Sequence, residues 1–514
     1  MHVPLTLSDF LYRAELVHGD REAVVDEPSP PGGGLGRIRY RELADMARSL
    51  GAALDEIGLP EGARVAIVSP NSARYLATLF GVSAFGRVLV PVNFRLNTDE
   101  IRYIVEHSGA SAVLVDPELE PSLGDLPVEH RLVLGQGTDR DLFLRKAAAP
   151  RLAVTEEASP VSINYTSGTT ARPKGVQLSH RSVWLNAVTF ALHVGVSDRD
   201  VYLHTLPTFH CNGWGMPYAL TALGARQVII RKIDGDEILR RVAAEGVTLM
   251  NCAPAVIATV LDAAARMRER GESIPGRGRV RVVVAGAPPP SKTIERVETE
   301  LGWEFIQIYG LTETSPLLTV NRAPAEWDGL EAAERAQRLS RAGVPAIGVR
   351  MAVSPGGEIL ARSNHVFDGY YAQPAETARA VQDGWFHTGD GGLMDGAFTV
   401  ITDRKKDVII TGGENVSSIE VEDCLYQHPG VAEAAVIGVP HEKWGETVLA
   451  FVVCRPGVAL TADDVIAHCR GRLSHYKCPT LVELRDALPR TATGKLQKFR
   501  LREPYWAGRT RGVN

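Results

Sequence analysis

Tyr165-Thr166-Ser167-Gly168-Thr169-Thr170-Ala171-Arg172-Pro173-Lys174-Gly175 decides how this chain is folded and used. Hydroxyl residues flank a glycine on both sides, and a lysine precedes a second glycine. Gly168 lets backbone N–H groups point inward, the Ser and Thr hydroxyls add donors, and Lys174 adds a point charge. Together they suit a polyphosphate. The run is not a Walker loop, in which the lysine comes after the second glycine. Upstream, Val161-Ser162-Ile163-Asn164-Tyr165 alternates apolar and polar, as a short strand does. Downstream, Ser179 is placed to cap a helix through Val183, Ala187 and Phe190. The loop is therefore expected between a strand and a helix, where oxyanions are commonly held. A Gly/Ser/Thr cluster alone is more often a polar surface loop, so distant segments have to decide.

Working outward, Arg64-Val65-Ala66-Ile67-Val68, Val88-Leu89-Val90-Pro91-Val92 and Ala112-Val113-Leu114-Val115 read as buried strands. Helices are expected between them, from about Ser72 to Phe80 and from Thr98. The same alternation returns at Val228-Ile229-Ile230, Leu249-Met250-Asn251 and Val280-Arg281-Val282-Val283-Val284. Strand–helix alternation implies parallel sheets covered on both faces. The charged stretch Arg322 to Arg341 reads as a helical, solvated excursion. Gly357-Glu358-Ile359-Leu360 and Phe398-Thr399-Val400-Ile401 read as antiparallel strands, followed by the charge cluster Asp403-Arg404-Lys405-Lys406-Asp407 and a mixed α+β tail.

The 514 residues suggest about three domains or subdomains. A formal net charge of −5 argues against a general nucleic-acid binder. No apolar run approaches the roughly 18 residues of a membrane span. The amino terminus resembles no secretory signal, and the last residues carry no peroxisomal or lipidation address. Cys211, Cys252, Cys424, Cys454, Cys469 and Cys478 form no C-x-x-C pair. They point to a reduced, cytoplasmic protein without a zinc site.

Four further segments carry chemistry. Tyr309-Gly310-Leu311-Thr312-Glu313-Thr314 leaves a strand end with an aromatic ring, a hydroxyl and a carboxylate. Gly384-Trp385-Phe386-His387-Thr388-Gly389-Asp390 places a carboxylate where it can accept from sugar hydroxyls. The charge cluster is the third, and Arg490-Thr491-Ala492-Thr493-Gly494-Lys495 puts a lysine on a small-residue loop. In this order and spacing, with the opening loop, they resemble the acyl-adenylate-forming enzymes, the group of acyl-CoA synthetases, luciferases and peptide-synthetase adenylation domains. The resemblance runs from Gly19-Asp20-Arg21-Glu22-Ala23 to about Arg502. Phe209-His210-Cys211-Asn212-Gly213-Trp214, Gly412-Gly413-Glu414-Asn415-Val416 and Ala492-Thr493-Gly494-Lys495-Leu496-Gln497-Lys498 are similar to the fatty-acid and aromatic acyl-CoA ligases.

The resemblance implies an α/β fold. A large N-terminal adenylation domain, residues 1–403, would hold doubly wound sheets and a distorted β-barrel subdomain. A small mobile α+β domain, residues 404–514, would pivot near Lys406. It implies ATP-dependent activation of a medium- or long-chain or aromatic acid as an acyl-adenylate, then transfer to CoA. The alternative is transfer to a carrier-protein thiol, an amine or another small nucleophile. A non-catalytic nucleotide-binding protein is disfavoured by Glu313, Asp390, Arg404 and Lys495 together. ATP, Mg²⁺ and CoA are the implied ligands, and a homodimer is compatible.

Site roles carry over residue by residue. Thr166, Ser167, Gly168, Thr169, Thr170 and Lys174 would hold the leaving phosphates, with Glu313 and Thr170 on Mg²⁺. Thr312 would bond the α-phosphate. Tyr309 and the backbone of Gly286, Ala287 and Pro288 would hold adenine, and Asp390 with Arg404 the ribose. Lys495 would meet the charge that develops at the reacting centre. Gly412 and Gly413 would let pantetheine pass. His210, Trp214, Ala285, Gly310 and Leu317 would line the acyl pocket, with His210 orienting the carboxylate or acting as a base. Cys211 is expected to pack only. Ala171 departs from the family's usual glycine and fits unstrained only at negative φ.

Overall fold

The structure is a computed structural model that describes residues 1–154, 156–166, 172–404, 407–411, 414–490 and 496–507, Arg404 by its backbone. All counts and absences below refer to these described residues. Ser167, Gly168, Thr169, Thr170, Ala171, Lys406, Gly412, Gly413 and Lys495 lie outside them.

Two large sheets form the N-terminal part. The first runs, in spatial order, Gly369–Tyr370, Lys174–Ser179, Pro160–Thr166, Val88–Val92, Arg64–Val68, Ala110–Val115 and His130–Val133. Its last five strands are parallel neighbours, and the first two are antiparallel additions at one edge. The apolar runs are covered on both faces, as parallel strands must be. Helix Ala73–Ser83 starts where Ser72 accepts the Tyr75 N–H, and helix Thr98–Ser108 starts at an Asn97/Glu100 capping box and stops at left-handed Gly109.

The second sheet has nine strands. Glu304–Gly310, Arg281–Val284, Leu249–Cys252, Val201–Leu203, Arg226–Val228 and Glu22–Val25 are parallel, flanked antiparallel by Leu317–Arg322 with Val344–Pro345 and by Arg37–Arg39. The expected barrel region is a five-stranded antiparallel sheet in open order: Val349–Val353, Glu358–Ser363, Trp385–Asp395 and Val381–Gln382, with Phe398–Arg404 also on Trp385–Asp395. A Gly343–Thr399 bridge joins it to the nine-stranded sheet. The smaller C-terminal part has its own sheet, its own core around Val421, Leu425, Val436 and Ala450, and helices Ser418–Tyr426, Ala462–Arg470 and Lys498–Trp506. No helix is long and apolar enough to cross a membrane, and no cysteine is in a disulfide.

Two expectations need correction. The opening loop does not lead into a helix. Thr166 ends one strand and Lys174 begins the next, paired antiparallel in register, and Ser179 caps helix His180–Val194 only after that second strand. Val176 and Leu178 are buried alternately with Gln177, so these six residues are more stable in the sheet than as loop. The helix N-terminus is thus one strand length away from the loop. The 322–341 stretch is no solvated excursion either. Trp327 is buried and stacks on Phe398 with ring centroids 6.0 Å apart, while Ala336 and Leu339 of helix Ala332–Leu339 enter the second core. Arg341 lies over the Phe398 ring at 3.8 Å, so its charged residues cover apolar surface with their stems.

Candidate active site

Ligand sites of open α/β sheets lie outside the carboxyl ends of the strands. The predicted residues stand there. Thr166 ends Pro160–Thr166, Ala285 follows Arg281–Val284, and Gly310 ends Glu304–Gly310. Behind Gly310, the 3-10 turn Thr312–Thr314 is closed by Thr314, whose hydroxyl accepts the Leu311 N–H at 3.0 Å and donates to the Pro316 carbonyl at 2.6 Å. Gly310 has a packing reason for being glycine: a Cβ there would sit 1.5 Å from that same carbonyl oxygen.

The turn carries Glu313 to the first sheet. Tyr370, on the edge strand beside Lys174–Ser179, donates its hydroxyl to Glu313 Oε1 at 2.9 Å. The Phe367 N–H donates to the Glu313 carbonyl at 2.8 Å. Burial and the adjacent carboxylate both push the Tyr370 phenol upward, so it remains a donor. Lys174 lies over the same ring at 5.1 Å and donates to Glu376 Oε2 at 2.7 Å. Lys174, Tyr370, Glu313 and Glu376 thus form one half-buried charged edge joining the two large sheets. Tyr370 and Glu376 were missed in the sequence. Gly369-Tyr370-Tyr371 ahead of a Pro374 helix start was legible as an element, but its register beside Lys174 was not.

On the far side, Tyr309 donates to Asp390 Oδ2 at 2.8 Å, and Asp390 is 4% exposed. Thr388 Oγ1 accepts the Asp390 N–H at 3.2 Å. Across the strand pair Asp390 stands opposite Arg404, which brings together the two residues expected on a ribose. Gly286 takes φ 93° in an exposed turn with Ala287 and Pro288, after Ala285. The bridge Arg490–Leu496 brackets the segment holding Lys495, and Thr411 pairs with Glu414 on either side of Gly412 and Gly413.

The predicted acyl residues lie in a different environment. Half-buried His210 leads into Cys211, Asn212, Gly213, Trp214 and Gly215, with φ of 48°, 52°, 63°, 61° and 76°. Five consecutive left-handed residues are unusual, and each non-glycine one costs about 1–2 kcal/mol. Strain of this kind persists where surroundings over-determine it. Here Asn212 donates to Ser162 Oγ at 2.9 Å, and the Gly213 N–H donates to the His210 carbonyl at 3.1 Å. Trp214 is 3% exposed and Leu317 fully buried. Cys211 Sγ lies 4.0 Å from the Thr312 carbonyl, so the turn abuts the Glu313 segment. Burial and the Glu313 charge push the Cys211 thiol upward, which leaves it an unreactive packing group, as expected. No group of three His, Cys, Asp or Glu side chains is arranged to hold a metal without further ligands.

Comparison with known proteins adds a family. The AMP-binding enzyme family matches residues 11–371, and the AMP-binding enzyme C-terminal domain matches residues 420–495. The 4-hydroxybutyrate–CoA ligase 2 of Metallosphaera sedula is 37% identical, over 96% of this chain and 93% of that protein. The 2-methylpropanoate–CoA ligase CCL4 of Humulus lupulus is 36% identical, over 97% and 95%. Among solved structures, the anthranilate CoA ligase AuaEII in complex with anthranoyl-AMP superposes with a TM-score of 0.86, 25% identity and 98% of both chains covered.

Proposed function

We propose, from the premise that the chain belongs to the AMP-binding enzyme family, that it is an AMP-forming acyl-CoA synthetase. A carboxylate oxygen attacks the α-phosphorus of ATP and the bond to pyrophosphate breaks. The CoA thiol then attacks the acyl carbon, loses its proton and displaces AMP. The observation that carries this reading is the Tyr370–Glu313 hydrogen bond, which joins two sheets and sets Lys174, Glu313 and Thr312 along one edge, with Tyr309–Asp390 beside it.

The first step brings two anions together, so neutralisation and alignment are its demands. Thr166, Ser167, Gly168, Thr169, Thr170 and Lys174 grip the departing phosphates, and Thr312 the α-phosphate. Glu313, a carboxylate oriented by the Tyr370 hydroxyl, and Thr170 would supply the hard oxygen donors that Mg²⁺ prefers. Mg²⁺ held there would supply positive charge to neutralise the phosphates. Asp390, held by Tyr309, accepts the ribose hydroxyls beside Arg404, while Gly286, Ala287 and Pro288 border adenine. Lys495 bridges the acid and the α-phosphate. Gly412 and Gly413 pass the pantetheine, and the domains part after residue 403 with a pivot at Lys406. The free cysteines fit a reducing compartment, the cytoplasm.

For the acid we assign a short aliphatic chain of the four-carbon class. The two relatives above are named for such acids. His210 orients the carboxylate. The test is ATP–pyrophosphate exchange over straight-chain acids from acetate to dodecanoate, with benzoate and anthranilate, and mass spectrometry with and without CoA. Maximal exchange with four-carbon acids and a CoA thioester formed only with CoA are expected. No exchange with any acid overturns the activity, and a maximum at long or aromatic acids overturns the acid class.

A further inference from the structure

One buried amide ties two predicted walls of the acyl pocket together. Asn186, inside helix His180–Val194, is fully buried. Its Nδ2 donates to the Trp214 carbonyl at 3.1 Å, and its Oδ1 accepts the Leu317 N–H at 3.1 Å. The two partners need opposite ends of the amide, so its orientation is fixed and no apolar side chain can replace it. Trp214 belongs to the left-handed run, and Leu317 opens the strand after the Glu313 turn. Gly215 completes the fit, because a Cβ there would sit 2.6 Å from Asn186 Nδ2. Releasing the amide strands a buried carbonyl and a buried N–H together, and frees a strained turn on one wall while loosening the other. The Lys174–Glu313 edge and the Tyr309–Asp390 pair are held by bonds of their own.

Resting on the adenylate-forming reading above, we infer that Asn186 is the positioning residue that sets acyl-chain specificity, acting through Trp214 and Leu317. The test compares wild type with Asn186→Ala, which removes both bonds, and Asn186→Asp, which keeps shape and acceptor but turns a carboxylate oxygen on the Trp214 carbonyl. Exchange kinetics are measured with straight-chain acids of two to eight carbons, alongside melting temperature. The acid KM is expected to rise roughly tenfold or more in Asn186→Ala, from two unpaired buried groups. The chain-length profile flattens in both variants, and the ATP KM stays within about threefold. An unchanged profile in a folded variant overturns the inference, as does a parallel rise in acid and ATP KM. Failure of both variants to fold also overturns it, by assigning Asn186 to the fold alone. Absence of exchange in the wild type sinks the adenylate reading itself; normal wild-type exchange with an unmoved variant profile sinks only the role of Asn186.

Discussion

At the Lys174–Glu313 edge the candidate side chains are charged, half-buried and paired with one another. Around Cys211–Gly215 they are neutral and buried, held by a hydroxyl and by an amide on the backbone. The difference teaches what each region can do when a ligand arrives. An ion pair at a half-exposed edge is worth little, on the order of 0–1 kcal/mol, so Lys174 can exchange Glu376 for a phosphate at small cost. A strained turn clamped by buried amides cannot exchange partners without leaving polar groups unpaired. The edge is suited to bind and release a changing set of phosphate oxygens. The Cys211–Gly215 turn is suited to keep one shape, as the proposed acyl wall requires.

The strongest way to break this contrast is to remove the lysine proposed to meet the charge developing at the reacting centre. Lys495→Ala is expected to lower adenylate formation by on the order of a hundredfold or more, while thiolysis of a supplied acyl-adenylate survives. Near wild-type exchange in that variant would place the developing charge on the edge instead.

Acid should reach the neutral region first. His204, at the root of the segment leading to His210, is 1% exposed and bonded to Gln227 Oε1 at 3.0 Å; His180 accepts the Leu7 N–H at 3.2 Å. Burial pulls both imidazoles down to about 4. A histidine whose folded value lies below its unfolded one stabilises fully above the unfolded value and loses that contribution as pH falls toward the folded one. The contribution of the two histidines is therefore expected to be level above about pH 6.5 and to fall toward pH 4, by about 3 kcal/mol for each at most. Thermal melts across pH 4–8 with His204→Asn read this directly; a slope unchanged by the substitution rules His204 out as a source.

The smallest effect sharpens the edge. Glu376→Gln should change stability by less than about 1 kcal/mol and the ATP KM by less than about fivefold, downward as Lys174 is freed. A tenfold fall in kcat would mean that the carboxylate takes part in the chemistry.

Much of this was legible in the residues because its signals are local. The buried strands Arg64–Val68 and Val88–Val92, the helix opening at Thr98, the Ser179 cap and the strand end before Thr312 follow from periodicity and capping chemistry within a dozen residues. The resemblance supplied their order. What failed was also physical. Lys174–Ser179 is a strand because Pro160–Thr166 lies beside it, and Trp327 is core because Phe398, far along the chain, lies against it.

By itself, then, the sequence determined two parallel sheets, a separate α+β tail and a set of oxygen and ammonium groups suited to nucleotide chemistry, since residue type and spacing are properties of the chain. Only the tertiary structure decided that Lys174 meets Glu376 across the Tyr370 ring, that Gly310 makes room for a carbonyl, and that Asn186 holds Trp214 and Leu317 at once. Those are contacts between segments remote in sequence. They depend on sheet register and helix packing, which no local pattern encodes.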